Sequence, residues 1–214
     1  SFEAMGGAMF EDEWIKYADE TPRNGEWYIA VDPAGFSDVN KKNQKKSRLD
    51  ETAIACVHVG PDGWHVGEII HGRWTLEETA NKIFNAVLKY KPRSVGIERG
   101  IAQQAILSPL MDKMRQRQRF FRIELLSHGN QKKADRIMWA LQGRFEHGMI
   151  ELAVADWNVT FLDQLFQFPS ALTHDDLVDA LAYIDQLAAE TYDFGEDIDE
   201  DDDWSDPLDD YSGY

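Results

Sequence analysis

WYIAVD at residues 27–32 decides the fold: five consecutive hydrophobic residues end in one acid. Such a run reads as a strand buried on both faces in the middle of a sheet, with Asp32 delivered to its carboxyl end. Outward from it, ETAIACVHVG at 51–60 and WHVGEIIHGRW at 64–74 are two further strand patterns joined by Pro-Asp-Gly. That tripeptide is a hairpin turn signal, so the three strands read as an antiparallel meander. A long polar loop, DPAGFSDVNKKNQKKSRLD at 32–50, separates the first two.

After Trp74 the hydrophobic period becomes helical. TLEETANKIFNAVLKYK at 75–91 opens with Thr75 and Glu78 spaced as a capping box and repeats apolar residues at Ile83, Phe84, Val87 and Leu88. RSVGIE at 93–98 is a short strand closed by Glu98, residues 101–118 suit a helix, and FFRIELL at 120–126 suits a strand. KKADRIMWALQGRFEHG at 132–148 reads as a helix whose Met138 and Trp139 belong to the core. GMIELAV at 148–154 reads as a short strand or edge extension, and WNVTFLDQLFQF at 157–168 and DDLVDALAYIDQLAAE at 175–190 as two final helices. The order is βββαβαβα, an α/β fold in which three antiparallel strands lead into parallel crossover units.

Length and composition agree with one folded domain plus extensions. With 214 residues, 43% of them hydrophobic, the chain can bury a sizeable core. Residues 1–24 read as an entry segment, with a short amphipathic helix in FEDEWIKYADE at 10–20 followed by a Pro-Arg-Asn-Gly turn. No apolar run approaches the roughly 18 residues of a membrane span, and no basic region followed by an apolar stretch opens the chain. A soluble, unsecreted protein without a membrane partner is expected. Cys56 is the single cysteine and sits in a strand pattern, which excludes disulfides and thiolate zinc sites and reads as a buried structural thiol in a reducing compartment.

The formal charge of −17 is unevenly spread. Residues 191–214 hold eleven acids and no Lys or Arg, leaving 28 acids against 22 bases, −6, on residues 1–190. This tail is too charged and too poor in core residues to fold alone, and is expected to be disordered. Bases gather as KKNQKKSR at 41–48 and along Lys113 to Arg136, so basic patches persist within an acidic protein. Lys41, Lys42, Lys45, Lys46 and Arg48 in the loop, and Lys132, Lys133 and Arg136 at a helix start, are the candidate phosphate contacts.

Acids end two apolar strands and open one helix. In open α/β sheets functional groups gather at the carboxyl ends of the parallel strands. If the first and fourth strands are neighbours, Asp32 and Glu98 converge there. Asp179 shares a helix face with both Asp175 and Asp176, being four and three residues from them. A helix first turn favours acids by its macrodipole, which accounts for Asp175 and Asp176 but not for Asp179 or the strand-end acids. Clustered carboxylates are hard ligands for Mg²⁺ or Mn²⁺, and two such ions can assist phosphodiester hydrolysis. Asp32 is the candidate bridging ligand, with Glu98 and the helix acids holding one ion each. Asp50 is a candidate outer ligand whose plainer reading is a solvated strand-start acid; His174 reads as a helix-start or supporting group. No zinc spacing and no serine-nucleophile motif is present.

The combination VDPAG, RLDETAIA, VGIERG, the KKADRI helix and HDDLVDALAY resembles the nuclease domain of the large terminase subunit of tailed bacteriophages, within the ribonuclease H-like superfamily. The resemblance covers about residues 26–190. It implies an endonuclease that cuts concatemeric double-stranded DNA during packaging, with two divalent metals held at positions matched by Asp32, Glu98 and the Asp175, Asp176 and Asp179 group. Which helix acid binds metal stays open. The family's full-length protein carries an ATPase motor ahead of the nuclease, whereas this chain has no Gly-Lys dipeptide and so no phosphate loop of that type. Residues 1–24 then resemble the junction with that motor, residues 25–190 the nuclease and residues 191–214 an acidic tail. The portal and the small terminase subunit are implied partners, and the host cytoplasm the implied location. A Holliday-junction resolvase and a non-catalytic DNA or portal docking module are the alternatives on the same fold.

Overall fold

The computed structural model describes residues 9–34, 51–127, 131–170 and 173–192. The loop bases at 41–48, Asp50 and residues 193–214 of the acidic tail lie outside the described residues. Seven strands form one mixed sheet: β1 (Lys16–Tyr17), β2 (Glu26–Asp32), β3 (Thr52–Gly60), β4 (Gly63–Gly72), β5 (Ser94–Glu98), β6 (Ile123–Leu126) and β7 (Ile150–Leu152). Their order is β1-β7-β4-β3-β2-β5-β6. β2, β3 and β4 form the expected antiparallel meander, while β5, β6 and β7 join in parallel. The helices are α1 (Leu76–Tyr90), α2 (Ile101–Arg117), α3 (Lys133–Glu146), α4 (Trp157–Gln167), α5 (Asp176–Ala182) and α6 (Ile184–Tyr192). None of the described helices is long and apolar enough to cross a membrane.

Strand periodicity sorts the core into two layers. Tyr28 and Ala30 of β2 face a layer built with α3, α4, α5 and α6, whereas Ile29 and Val31 face a layer built with α1 and α2. Successive side chains of a strand point to opposite faces, and β2 has a helical layer on each, hence its unbroken apolar run. Cys56 is buried in the second layer, where burial pushes its thiol pKa well above the ordinary value. The capping box of α1 is present: Thr75 Oγ1 accepts from the Glu78 N–H at 3.2 Å, and the Thr75 N–H donates to Glu78 Oε2 at 2.8 Å.

Three readings of the sequence are corrected. Residues 10–20 are not a helix: a 3-10 turn at Asp12–Trp14 leads into β1, which pairs with β7. Phe10 governs this segment, being buried edge-on against Phe145 with ring centroids 5.8 Å apart. The 148–154 segment holds the short strand expected of it, β7, and of the two readings the edge extension falls away because β7 sits between β1 and β4. The last helix is two, α5 and α6, meeting at Tyr183. Trp139 is not core but 83% exposed, since α3 buries Ile137, Ala140, Leu141 and Phe145 and so turns position 139 outward; Met138 does pack against the core.

Replacing Thr75 by Ala removes the reciprocal cap from an exposed helix start. We expect a loss of about 1 kcal/mol in denaturant unfolding, with no change in the slope of the transition.

Candidate metal centre

Parity along two strands brings the acids together. Ile29 and Val31 of β2 and Val95 and Ile97 of β5 face the α1 and α2 layer, so Asp32 and Glu98, one residue further on, face the opposite layer that contains α5. The strands are parallel neighbours with Val31 opposite Ile97, which sets the two acids side by side at the carboxyl edge. Asp32 shares a hydrogen bond with Glu98 and lies in the field of Asp179. Three distant stretches of chain thus meet at one point.

The helix acids do not act as a block. Asp179 is buried to 1% exposure on α5, whose seven residues are all buried. Asp175 stands at the N-cap and pairs with Lys133. Asp176 turns toward β3, where its Oδ2 accepts the Glu51 N–H at 3.0 Å and lies 3.7 Å from His174 Nδ1. That position fits a structural clasp between the start of β3 and the start of α5.

Lys133 and Arg136, three residues apart on α3, aim at the carboxylates. Lys133 Nζ lies 2.8 Å from Asp175 Oδ1 and 2.8 Å from Asp179 Oδ2, while Arg136 Nη2 pairs with Asp179 Oδ1. The buried Arg136 guanidinium also stacks 4.0 Å above the Tyr183 ring. Tyr183 in turn hydrogen-bonds Glu98. The result is a connected chain from Lys133 through Asp179, Arg136 and Tyr183 to Glu98 and Asp32. Tyr183 was missed by sequence reasoning, although its place four residues after Asp179 puts it on the same helix face. Lys132 is exposed.

Electrostatics divides this site into two ends. Burial pushes the Asp32 carboxyl well above the ordinary carboxylate range, aided by its hydrogen bond to Glu98 and the charges of Asp179 and Glu98, with Lys133 opposing. Burial by itself would depress the Lys133 ammonium, but Asp179 and Asp175 outweigh it and hold it above the ordinary lysine value. Burial likewise raises the Tyr183 hydroxyl, so this group stays protonated and can donate. The Asp179 end is therefore paired directly with Lys133 and Arg136, whereas the Asp32 carboxyl, in the field of Glu98 and Asp179, is held toward its protonated form.

This crowding suits a divalent cation, because the donors are all carboxylate oxygens, which hard ions prefer. Among the described residues no three such side chains already stand in a coordinating arrangement. Both oxygens of Asp179 face cationic partners, which explains this, yet each carboxylate oxygen keeps a further lone pair for a second partner. Asp32, Glu98 and Asp179 are the residues that could hold metal together, with Asp175 beside them.

A family model described as a terminase RNaseH-like domain matches residues 29–186. The fold is similar to that of the human cytomegalovirus terminase nuclease domain (TM-score 0.61, 17% identity, covering 83% of this chain and 94% of that one). A manganese-soaked, inhibitor-bound form of the same viral domain gives TM-score 0.58 at 16% identity, covering 84% of this chain and 94% of that one. The large terminase nuclease of thermophilic phage G20c with bound magnesium gives 0.55 at 15%, covering 85% and 97%. Sequence comparison with curated proteins finds no match.

Because the folded pKa of Asp32 is raised, metal-free protein is stabilised by this group at acidic pH and loses that contribution as pH rises through the folded value. In EDTA, Asp32→Asn should melt roughly 3 °C or more above wild type at pH 7, and the gap should close toward pH 4. Calorimetric scans across that range check this; a constant gap would contradict the assignment.

Proposed function

Since the chain belongs to the family of terminase RNase H-like domains, we propose that it is a divalent-metal-dependent endonuclease that cuts double-stranded viral DNA concatemers during genome packaging. The observation that carries this is the convergence of Asp32, Glu98 and Asp179 at the carboxyl edge of the sheet. The manganese-soaked and magnesium-bound relatives support Mg²⁺ or Mn²⁺ as the metal, two ions being the working number.

Asp32, which hydrogen-bonds Glu98 and lies in the field of Asp179, would hold the ions together with them. Bound there, divalent ions supply Lewis acidity toward the attacking and leaving oxygens of a phosphodiester. The chain's own residues prepare the setting. The Tyr183 hydroxyl fixes Glu98, and Arg136 fixes Asp179. Lys133 is half-buried beside Asp175 and Asp179, so it can also meet a phosphate oxygen entering the site. Burial keeps these groups oriented before substrate arrives.

Residues 1–24 would join this domain to a packaging ATPase, and residues 25–190 would be the nuclease. This chain covers 43% of the length of a large terminase from another thermophilic bacteriophage, which supports a longer parent protein. The loop bases Lys41, Lys42, Lys45, Lys46 and Arg48, with Lys132, would track the DNA backbone. The acidic tail at 191–214 would dock on a basic partner such as the portal, and the small terminase subunit is a further partner in this reading. The setting is the cytoplasm of an infected host cell.

Asp32→Ala and Glu98→Ala should each lower Mn²⁺-dependent plasmid nicking by about a hundredfold or more, with unchanged circular dichroism and retained duplex binding. Persistent nicking by either variant would refute the site. Cutting confined to four-way junctions would replace the packaging nuclease by a resolvase, and DNA binding with no cutting in any metal would leave a docking module.

A further inference from the structure

Arginines crowd the edge of the sheet opposite the carboxylates. α2 leaves the carboxyl edge after Glu98 and runs back, so residues 115–122, which end it and lead into β6, lie at the amino edge. This stretch holds Arg115, Arg117, Arg119 and Arg122 and no acid. Arg115 reaches Asp112 at 3.1 Å and Arg122 reaches Glu124 at 3.3 Å, whereas Arg117 and Arg119, both exposed, pair with no carboxylate among the described residues. Phe120 beside them is 69% exposed. The turn that carries these groups is fixed: the Gln118 side chain donates to the Arg115 carbonyl at 2.7 Å, and the Arg119 N–H to the Met114 carbonyl at 3.1 Å. β6 is the outermost strand on that side, so no further strand of the described sheet covers the strip. Like charges held this close repel, and an anionic partner relieves them.

The chain itself carries such an anion. Residues 191–214 hold eleven acids and no Lys or Arg, with Trp204 and Leu208 as apolar partners for Phe120. α6 begins at the carboxyl edge, where the Gln186 amide donates to the Ser127 carbonyl at 2.8 Å, and packs on β5 and β2. Its nine residues cover about 13 Å, which carries the end of α6 toward the amino edge, within two strands of β6. At up to about 3.5 Å per residue, the chain beyond it spans that gap in a few positions. We propose that the acidic segment at 193–214 docks on the strip Arg115–Arg122 of its own chain, with Arg117 and Arg119 as its main partners. DNA phosphates compete with the segment for the same guanidinium groups, so docking keeps a duplex off this edge and leaves it to the edge that holds Asp32 and Glu98. The docking is independent of the nuclease reading; only this consequence rests on it. A basic partner that recruits the tail takes it from the strip and uncovers the arginines.

The test uses the full chain with a nitroxide on Ser205→Cys; the native Cys56 is fully buried and escapes labelling. At low salt the label should broaden the amide NMR signals of residues 117–122. The broadening should vanish near 1 M salt, where the screening length is about 3 Å, and in the Arg117→Glu, Arg119→Glu double variant, which removes no packed side chain. Changing Asp199, Glu200, Asp201, Asp202 and Asp203 to their amides should strengthen duplex binding in Ca²⁺ roughly fivefold, the scale of two exposed ion pairs. Adding Arg117→Gln and Arg119→Gln should cancel that gain; unchanged duplex binding overturns the shielding. If low salt gives no broadening, or the arginine variant keeps it, the docking is refuted whether or not the chain cuts DNA. Broadening found only between a labelled molecule and a separate isotope-bearing one overturns docking within one chain in favour of a second copy's tail. Arginine-dependent broadening in a chain that cuts nothing in any metal leaves the docking standing and removes the nuclease reading.

Discussion

Like charge confined in a dry place is the constraint around which this domain is arranged. Asp32, Glu98 and Asp179 are brought to one edge of the sheet by strand parity and by a helix buried on every side, and water is largely excluded from Asp32 and Asp179. An isolated buried carboxylate is costly, and a cluster more so. The fold answers with protons and cations of its own: a shared hydrogen bond between Asp32 and Glu98, a tyrosine hydroxyl for Glu98, and Lys133 and Arg136 for Asp179. Asp32 is thereby held toward its protonated form, and a divalent ion that displaces the proton would relieve the crowding of these carboxylates.

The same arrangement gives the positioning groups two duties. Arg136 is held between the Asp179 carboxylate and the Tyr183 ring, so it stiffens the junction of α5 with α6 while fixing a carboxylate. Asp176, next to the site in sequence, instead ties the first residue before β3 to the start of α5. Asp176 and Asp179 share a helix face yet hold different partners, Glu51 and His174 for the one and Lys133 and Arg136 for the other.

Much of this was legible in the residues alone. Unbroken apolar runs mark β2 and β3, since a strand covered on both faces shows no alternation, and the Thr75 and Glu78 spacing marks the start of α1 through backbone capping. The meeting of Asp32 with Glu98 follows from their equal places at the ends of neighbouring parallel strands. Tertiary contacts hid the rest. Phe10 draws residues 10–20 into an extended path against Phe145, overriding a helical pattern. Trp139 looks like core by composition, yet the helical phase of Ile137 and Leu141 turns it to solvent. Lys133 and Arg136 were legible as anion-binding groups, but the sequence offers no sign that their nearest anions are the site's own carboxylates.

Anomalous diffraction from Mn²⁺-soaked crystals would locate the ions relative to these carboxylates. Manganese peaks are expected within coordination distance of Asp32 and Glu98, with Asp179 completing the set. Peaks confined to other surface acids, with Asp32 still hydrogen-bonded to Glu98 at saturating Mn²⁺, would contradict this assignment.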